Sequence, residues 1–402
     1  MKRYYLCGPT VYNYPHIGNM RPIVTFDLMI RSQRYLGEEV YFLHNITDID
    51  DKIILKAKQE NKTEKEISSY YEAYYLNLFK TFNLEMPTKI IRVTDSLNDM
   101  YEYINELIKV EAAYRIGGNI FFDVAKYKDI YGTISNQKLE ALKHVEDDGA
   151  LGKKNSFDFT LWKDTTDGIK FSSPWGLGRP GWHTECSCFI YKYFNKEQLD
   201  IHGGGIDLIF PHHENENIQH YALTEQNIAK DWIHFGTLNY KNEKMSKSIG
   251  NIIYPHNFLE DYDADSYKLL MLTTNYSKPI NVTEELLEVN QNQINKLKTI
   301  VKKIQLLNLN LDIDKNLVNE LISKFAKLNF ANGYRDLIAL IKKQDNWGTL
   351  KEVFRILGFN FVYEVVSEED INLYKNWNEL IVKKDYSEAD KLREMLIKKG
   401  LL

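Results

Sequence analysis

The sequence predicts an α/β fold: a Rossmann-like, doubly wound parallel sheet with an insertion, followed by a mainly helical C-terminal domain. Short apolar strands alternate with helical patterns in the N-terminal half of the 402 residues, which is typical of a parallel sheet with helices on both faces. Residues 113–158 break this rhythm with glycine-rich, hairpin-like turns. After Tyr276 the apolar positions recur at helical spacing over long stretches.

The first strands and helices are bounded by recognisable signals. Gly37 closes the first helix in the manner of a C-cap, and Thr63 and Glu66 have capping-box spacing at the start of the third. The predicted strands are residues 3–7, 40–44 and 89–93. The predicted helices are residues 20–36, a stretch that begins near Asp51, and a stretch that runs from Thr63 towards Phe82.

The C-terminal part has a different character. Residues 286–307 and 317–328 carry amphipathic helical patterns, whereas residues 360–365 are strand-like. We therefore expect two domains: residues 1–279, Rossmann-like with an insertion at about 113–158, and residues 280–402, a helical region.

Composition narrows the function classes. A hydrophobic fraction of 44% is ample for a core, and the net charge of −5 argues against nucleic-acid binding by bulk electrostatics. Three cysteines do not make a disulfide framework. No apolar run approaches the roughly 20 residues of a membrane span, and Met1-Lys2-Arg3 opens no signal-peptide layout. We expect a cytoplasmic protein without a membrane segment, and composition alone favours a metabolic enzyme.

Residues 7–19 (CGPTVYNYPHIGN) lie between the first strand and the first helix. Ligands bind at the carboxyl ends of parallel strands, where a helix N-terminus offers unpaired N–H groups to phosphate. Gly18 permits close approach of a ligand, and His16 and Asn19 can donate hydrogen bonds. A surface turn with an incidental histidine remains an alternative interpretation of these residues alone.

A second motif, Lys244-Met245-Ser246-Lys247-Ser248, places two lysines on a short polar loop. Such lysines can stabilise negative charge on a polyphosphate. A lone lysine-rich loop is most often only solvated. Together, the two motifs at opposite ends of one sheet would clamp ATP from both sides.

His212 and Glu216 are four residues apart and would share one face of a helix. With Cys7 and Cys186 they form a plausible ligand set for zinc. The alternative is that the cysteines are core residues and that HHENE is a solvated helix face.

The two loops resemble the HIGH and KMSKS signatures of class I aminoacyl-tRNA synthetases, with Asn19 in place of the last histidine of HIGH. Further stretches are similar to the cysteinyl-tRNA synthetase family within that class: NITDIDDKI (45–53), DFTLWK (158–163), GRPGWHTECS (178–187) and DIHGGGIDLIFPHHENE (200–216). Asparagine retains a hydrogen-bond donor at position 19. The resemblance covers most of residues 1–279 and weakens in the C-terminal part, which looks like a compact version of the family's.

The resemblance implies roles for individual residues. Cys188 has no counterpart among the family's metal ligands and is taken as structural. The implied zinc ligands are Cys7, Cys186, His212 and Glu216. The implied catalytic residues are His16, Asn19, Lys244 and Lys247. The implied ATP-binding residues are Pro9, Thr10, His16, Gly18, Asn19, Gly203, Gly204, Gly205 and Lys247. The implied cysteine pocket consists of Gly8, Thr47, Trp182, His202 and Asp207.

The resemblance also implies the reaction. L-cysteine would attack the α-phosphate of ATP, bound with Mg²⁺, and the cysteinyl group would pass from the adenylate to the terminal adenosine of tRNA(Cys). Zinc prefers thiolate and so would reject serine, which pocket shape distinguishes poorly from cysteine. The implied enzyme is a monomer, with residues 1–279 catalytic and residues 280–402 binding tRNA.

Two alternatives stay open. One is a cysteine ligase of the mycothiol type, which passes cysteine to an amino sugar; the long helical C-terminal part argues for tRNA instead. The other is a non-catalytic paralogue that binds tRNA or cysteine, which the intact lysine motif and the complete ligand set oppose.

Overall fold

The computed structural model describes residues 1–137, 152–245, 249–309, 311–343 and 346–402. Lys247 and part of the predicted insertion therefore lie outside the described residues. The chain divides into two compact units. The first unit comprises Met1–Ile23, Glu39–Leu78 and Met86–Thr237, and the second comprises Val24–Glu38, Phe79–Glu85 and Leu238–Leu402.

The described strands fall into three sheets. In chain order they are β1 Lys2–Leu6, β2 Val40–Ile46, β3 Lys89–Arg92, β4 Ala113–Ile116, β5 Asn119–Phe122, β6 Phe159–Asp164, β7 Phe171–Ser173, β8 Gly176–Pro180, β9 Leu199–Gly205, β10 Ala229–Phe235, β11 Leu238–Tyr240, β12 Glu243–Lys244 and β13 Ile280–Val282.

The described helices lie between the strands in the first half and dominate the second half. They are α1 Ile17–Tyr35, α2 Asp51–Glu60, α3 Glu64–Thr81, α4 Leu97–Lys109, α5 Trp182–Tyr193, α6 Glu214–Thr224, α7 Pro255–Asp261, α8 Ala264–Leu272, α9 Glu284–Leu306, α10 Lys315–Ala326, α11 Phe330–Lys343, α12 Trp347–Ile356, α13 Glu368–Val382 and α14 Tyr386–Lys398. None of the helices in the described part is long and apolar enough to cross a membrane.

The central sheet confirms the predicted fold class. Its strand order is β10-β9-β1-β2-β3, and every neighbouring pair is parallel. Because β9 flanks β1 on one side and β2 on the other, the strand order reverses at β1. The crevice for a ligand is expected at such a switch point, beyond the carboxyl end of the strand. That end is Cys7-Gly8.

One face of the central sheet forms the main core of the first unit. Tyr5, Leu43 and Ile91 of the strands pack with buried side chains of α4, α5 and α6, among them Tyr103 and Phe189. Strands buried in this way need apolar residues in succession, which is why β1 reads as Tyr-Tyr-Leu in the sequence.

The predicted insertion begins a second, antiparallel sheet. Gly117 has a φ of +60° in the turn between β4 and β5, as the glycine-rich hairpin signal predicts. The sheet order is β4-β5-β6-β8-β7, so it extends to Pro180, beyond the predicted boundary at 158. Phe122 and Phe159 stack across it with an interplanar angle of 10°.

The sequence signals at helix ends are confirmed. Gly37 has a φ of +92° after α1. At the start of α3, Glu66 Oε2 accepts from the backbone N–H of Thr63 at 2.8 Å, and Thr63 Oγ1 accepts from the N–H of Glu66 at 3.2 Å. These two bonds are the reciprocal pair of a capping box.

The second unit is mainly helical, and one expectation within it is wrong. Residues 360–365 do not form a strand; Asn360–Tyr363 is a 3₁₀ turn. The carboxylate of Asp265 accepts from the backbone N–H groups of Asn360 and Phe361, both at 2.8 Å. This side chain satisfies the backbone amides that a strand partner would otherwise have to pair, while Phe361 stays buried.

Candidate active site and metal centre

The carboxyl ends of three central strands are tied together around Cys7. The backbone N–H of Cys7 donates to the carbonyl of Gly203 at the end of β9, at 3.1 Å. The N–H of Gly8 donates to Asn45 Oδ1 at 2.7 Å. A Cβ at position 8 would lie 1.6 Å from the carbonyl oxygen of Asn45, so only glycine fits there. The switch point is thus a fixed scaffold.

Cys7, Cys186, His212 and Glu216 converge at this scaffold. Their ligand atoms all lie within 4.8 Å of one another. Cys7 Sγ lies 3.9 Å from Cys186 Sγ and 3.6 Å from Glu216 Oε1. Cys186 Sγ lies 3.6 Å from His212 Nε2. Cys7 is half-buried and the other three are buried, which excludes the solvated-face interpretation of HHENE.

These distances fit a tetrahedral zinc ion. Zinc–sulfur bonds of about 2.3 Å place two sulfurs about 3.8 Å apart and a sulfur about 3.6 Å from an imidazole nitrogen. The Cys7–Cys186 and Cys186–His212 separations match these values. His212 and Glu216 are joined by a 2.8 Å hydrogen bond, so these two side chains must move slightly apart to share an ion.

The ionisation of Cys186 and Glu216 also suits a cation, whereas burial raises the pKa of the Cys7 thiol well above its usual range. Burial acts to raise the pKa of the Cys186 thiol, but hydrogen bonds with Cys7 and His212 bring it down to about 6. Burial also acts to raise the pKa of the Glu216 carboxyl, but the imidazoles of His202 and His212 hold it well below its usual range. A buried carboxylate and a readily formed thiolate are the charged donors that a divalent ion requires.

A second set of donors overlaps the first. Cys7, His202, His213 and Glu216 also place ligand atoms within 4.8 Å of one another. Here Glu216 Oε2 accepts from His202 Nε2 at 2.6 Å, and Cys7 Sγ lies 3.6 Å from His213 Nε2. Since zinc favours sulfur donors, the first set, with two sulfurs, is the better site.

Aromatic and imidazole rings surround the cluster. Trp182 stacks on His212 with ring centroids 4.3 Å apart. His212 faces Cys186 with Nε2, and its other ring nitrogen, Nδ1, lies 3.0 Å from Nδ1 of His183. In a separate contact, His213 Nδ1 lies 3.0 Å from Nε2 of His234. Burial lowers the pKa of His183 to about 3, so this imidazole is neutral. These partners fix the ring orientation of the proposed ligand His212.

A cleft of about 280 Å³ opens beside the cluster in the first unit. Trp182 and Glu185, both in the first turn of α5, line it together with Thr10. Thr47 Oγ1 donates to Glu185 Oε2 at 2.6 Å. Burial, and then the sulfur of Cys186, raise the pKa of Glu185 well above its usual range. The cleft also has basic lining residues, among which Arg179 and Lys163 pair with Asp51.

The glycine run and Asp207 follow β9. A Cβ on Gly204 would meet the ring of His213 at 2.6 Å, and one on Gly205 would meet Asp207 Oδ1 at 2.4 Å. Close packing against the buried ring of His213 therefore already requires glycine at position 204, whereas the atom nearest to position 205 belongs to the exposed side chain of Asp207. Asp207 is exposed in a 3₁₀ turn, Ile206–Leu208.

The two signature loops are described only in part. His16 is half-buried and Asn19 is exposed at the start of α1. The side chain of Asn19 accepts from the backbone N–H of His16 at 3.0 Å, so it caps the helix. Lys244 is exposed at the end of β12 in the second unit, and Lys247 lies outside the described residues. The ATP clamp across the two loops stays a prediction.

A family model described as "tRNA synthetases class I (C) catalytic domain" matches residues 2–292. The chain belongs to this family. It is 42% identical to a protein of Mesoplasma florum named cysteine–tRNA ligase, over 99% of this chain and 95% of that protein. It is 44% identical to a protein of the same name from Mesomycoplasma hyopneumoniae, over 98% of this chain and 96% of that protein. The resemblance to the cysteinyl-tRNA synthetase family is confirmed.

Solved structures show the same fold at low identity. A LeuRS of Agrobacterium radiobacter K84, solved in a ternary complex with tRNA and LeuAMS, gives a TM-score of 0.67 at 9% identity, over 90% of this chain and 84% of that one. Methionyl-tRNA synthetase of Mycobacterium tuberculosis, in complex with methionyl-adenylate, gives 0.59 at 15% identity, over 98% and 87%. These likenesses confirm the class I architecture of the chain.

The family motifs predicted the four proposed metal ligands. The sequence did not predict the side chains that surround them. His183, His213 and Glu185 lie inside the quoted motifs, yet nothing in their spacing sets them apart from core residues. The one sequence feature that points to them is that they lie within three residues of the proposed ligands Cys186 and His212.

Proposed function

We propose that this chain is a cysteine–tRNA ligase, which activates L-cysteine with ATP and transfers it to the 3′-terminal adenosine of tRNA(Cys). The observation that carries the proposal is the buried Cys7–Cys186–His212–Glu216 cluster at the switch point of a class I sheet. Membership of the cysteine–tRNA ligase family over nearly the whole chain supports it.

We propose that the cluster holds one Zn²⁺. The separations of its sulfur and nitrogen atoms suit tetrahedral zinc, and its donors suit a soft, borderline cation. Zinc bound there would supply a Lewis acid that binds thiolate in preference to hydroxyl, and so would favour cysteine over serine. Because serine would be rejected at this binding step, the enzyme would need no proofreading step to remove it.

The protein's own residues then bind and orient the substrate. Trp182, whose ring is fixed on His212, would pack against the carbon chain of cysteine, while Gly8, Thr47, His202 and Asp207 would complete the pocket. His202 already holds Glu216 by a 2.6 Å hydrogen bond, so it positions a proposed ligand as well. The cysteine carboxylate is itself the nucleophile, and no side chain has to form a covalent bond.

ATP, with Mg²⁺, would lie on the signature loops. The start of α1 offers N–H groups at Gly18 and its neighbours, and Gly203 to Gly205 end β9 in the same unit. Pro9, Thr10, His16, Asn19, Lys244 and Lys247 complete the proposed set. Their work is positioning and charge stabilisation during formation of the adenylate.

We propose that the helical region 280–402 binds tRNA, as expected from its position after the catalytic domain 1–279. Every residue proposed for the active site is on one chain, so the reaction needs no partner subunit, and we propose a cytoplasmic monomer. No observation favours the amino-sugar ligase or the non-catalytic paralogue, and the curated relatives named above carry the tRNA-ligase name.

The deciding experiment is cysteine-dependent ATP–pyrophosphate exchange by the pure protein, followed by charging of tRNA(Cys). We expect exchange with cysteine and almost none with serine, and charging once tRNA is added. Exchange without charging would point to the amino-sugar ligase. Absence of cysteine-dependent exchange in zinc-loaded protein would contradict the proposal altogether.

A further inference from the structure

Glu185 precedes Cys186 of the proposed metal site directly, and the proposed function gives it no role. It occupies the first turn of α5, between Trp182 and Cys186, and its residue surface is 1% exposed. Although buried, its side chain lines the 280 Å³ cleft together with Trp182. Trp182 also stacks on the proposed ligand His212, so the part of the cleft that Trp182 and Glu185 line lies beside the proposed metal site.

The carboxyl group of Glu185 is held in one orientation. Thr47 Oγ1 donates to Glu185 Oε2 at 2.6 Å. Thr47 is itself fixed, since its backbone N–H donates to the carbonyl of Pro9 and its carbonyl accepts from the N–H of Val11, both at 3.1 Å. A hydroxyl has a single proton, so Thr47 directs that proton to the carboxyl and away from the substrate.

The hydrogen bonding of Glu185 is incomplete. Within the described part of the chain, Thr47 is the one hydrogen-bond donor to this carboxyl. A buried carboxylate with a single neutral donor is costly, and a cationic donor in the cleft would offset that cost. The cleft is also lined by basic residues, of which Arg179 and Lys163 pair with Asp51. Within the described residues, none of these basic side chains hydrogen-bonds to Glu185.

We propose that Glu185 accepts a hydrogen bond from the α-ammonium group of the amino acid whose thiol is bound at the metal cluster. The inference rests on the proposed function. An amino acid held by its sulfur still has an ammonium and a carboxylate to place. Glu185 and Trp182 line the same cleft, so a carbon chain packed against Trp182 would bring the ammonium group within reach of the Glu185 carboxyl. Glu185 is thus a specificity residue for the ammonium group, and Thr47 positions it.

The test separates the two charged groups of the substrate. Cysteamine carries the thiol and the ammonium, and 3-mercaptopropionate carries the thiol and the carboxylate; both are used as inhibitors of cysteine-dependent pyrophosphate exchange. In Glu185→Gln we expect the inhibition constant of cysteamine and the KM of cysteine to rise by about tenfold or more, as for loss of a charge-assisted hydrogen bond. The inhibition constant of 3-mercaptopropionate should stay within about twofold.

Controls distinguish recognition from structural damage. Metal content is measured on each variant, since Glu185 precedes a proposed ligand. Glu214→Gln is the matched control, because Glu214 is equally buried and lies two residues from Glu216. Among the described residues its carboxylate binds the backbone N–H groups of Ile134 and Ser135, chiefly through one oxygen, which glutamine retains. Glu214→Gln should change neither inhibitor's constant. Thr47→Val removes the hydroxyl that holds the Glu185 carboxyl, and it should also weaken cysteamine more than 3-mercaptopropionate. This variant provides the test if Glu185→Gln does not fold.

The outcomes are separable. Equal weakening of both inhibitors, weakening of 3-mercaptopropionate alone, or no change for cysteamine would overturn the proposed role of Glu185. The wild-type protein provides the other distinction, because exchange that requires cysteine supports the proposed function whatever the variants do. If the wild-type protein shows no cysteine-dependent exchange, the proposed function itself is contradicted.

Discussion

Cys186 and Cys188 lie in one helix and are both buried, yet only Cys186 joins the cluster of proposed metal ligands. In a helix, residues two apart point in different directions, so the second sulfur faces the hydrophobic core. The resemblance to the family predicted this distinction, and the four-residue spacing of His212 and Glu216 predicted that those two side chains share one helix face. The contributions of His183 and His213 could not be predicted, because their ring contacts join segments that only the folded sheet brings together.

The two cysteines provide a prediction with its own control. Cys186→Ser should lose the bound zinc and cysteine activation together, because a hydroxyl is a poor ligand for the ion and leaves three donors. Cys188→Ser changes the same atom two residues away and should keep one zinc per chain. Metal analysis and pyrophosphate exchange on both variants check this. Activation at the wild-type level by metal-free Cys186→Ser would contradict the assignment.

At the scale of single elements, the local signals were the most predictable part of the fold. The Thr63–Glu66 pair, the turn at Gly117 and the C-cap at Gly37 depend on residues close in sequence, so their chemistry can be read directly. The strand expected at 360–365 failed for the opposite reason: its conformation is set by the distant side chain of Asp265. The same holds for β6 to β8, whose pairing extends the insertion sheet to Pro180.

The capping box of α3 makes a prediction about stability. Thr63→Ala removes the hydroxyl that accepts from the N–H of Glu66 and should lower the free energy of unfolding by about 1 kcal/mol. Thr63→Ser keeps the hydroxyl and should cost much less. Chemical denaturation of both variants measures the difference. Equal loss in the two would show that the threonine methyl group, and not the cap, stabilises this end of α3.

The lysine loop after β12 makes a prediction about rate. If Lys247 steadies the phosphates of ATP as the adenylate forms, Lys247→Ala should cut kcat for pyrophosphate exchange and leave the KM for cysteine nearly unchanged. The reason is that the charge it meets develops mainly in the transition state. Lys278→Ala, an exposed lysine of the same unit, is the control. A rise in cysteine KM at constant kcat would instead place Lys247 at the amino-acid pocket.

At the scale of the whole molecule, the sequence predicted a parallel-sheet part followed by a helical part, but the packing is more interleaved than a single cut suggests. The second unit also contains two segments from the N-terminal half of the chain, Val24–Glu38 and Phe79–Glu85. Within that unit, the buried amine of Lys268 donates to the carbonyls of Asn83 and Gly358. Such long-range contacts have no local signal, so the sequence alone did not predict them.

This interleaving decides how to test the tRNA-binding role of the helical region. A truncation at residue 279 would remove Gly358, Asn360 and Phe361. Lys268 would lose one of its two carbonyl acceptors and Asp265 both of its backbone donors, so loss of activity could reflect unfolding. Deleting residues 367–402 is cleaner, because α13 and α14 pack mainly on each other around a small core of their own, which includes Tyr374 and Leu396. A remaining cost is the exposure of Leu306 and Val366, which also belong to that core.

We expect this shorter protein to keep cysteine-dependent pyrophosphate exchange and to charge tRNA(Cys) at a much lower rate. The two helices and the turn between them carry exposed basic residues, among them Lys383, Lys384, Lys398 and Lys399. Each phosphate contact contributes about one unit to the log–log slope of tRNA affinity against salt concentration. The slope should therefore be smaller for the deletion variant than for the full chain. Charging at the full rate with an unchanged slope would show that these helices have another purpose.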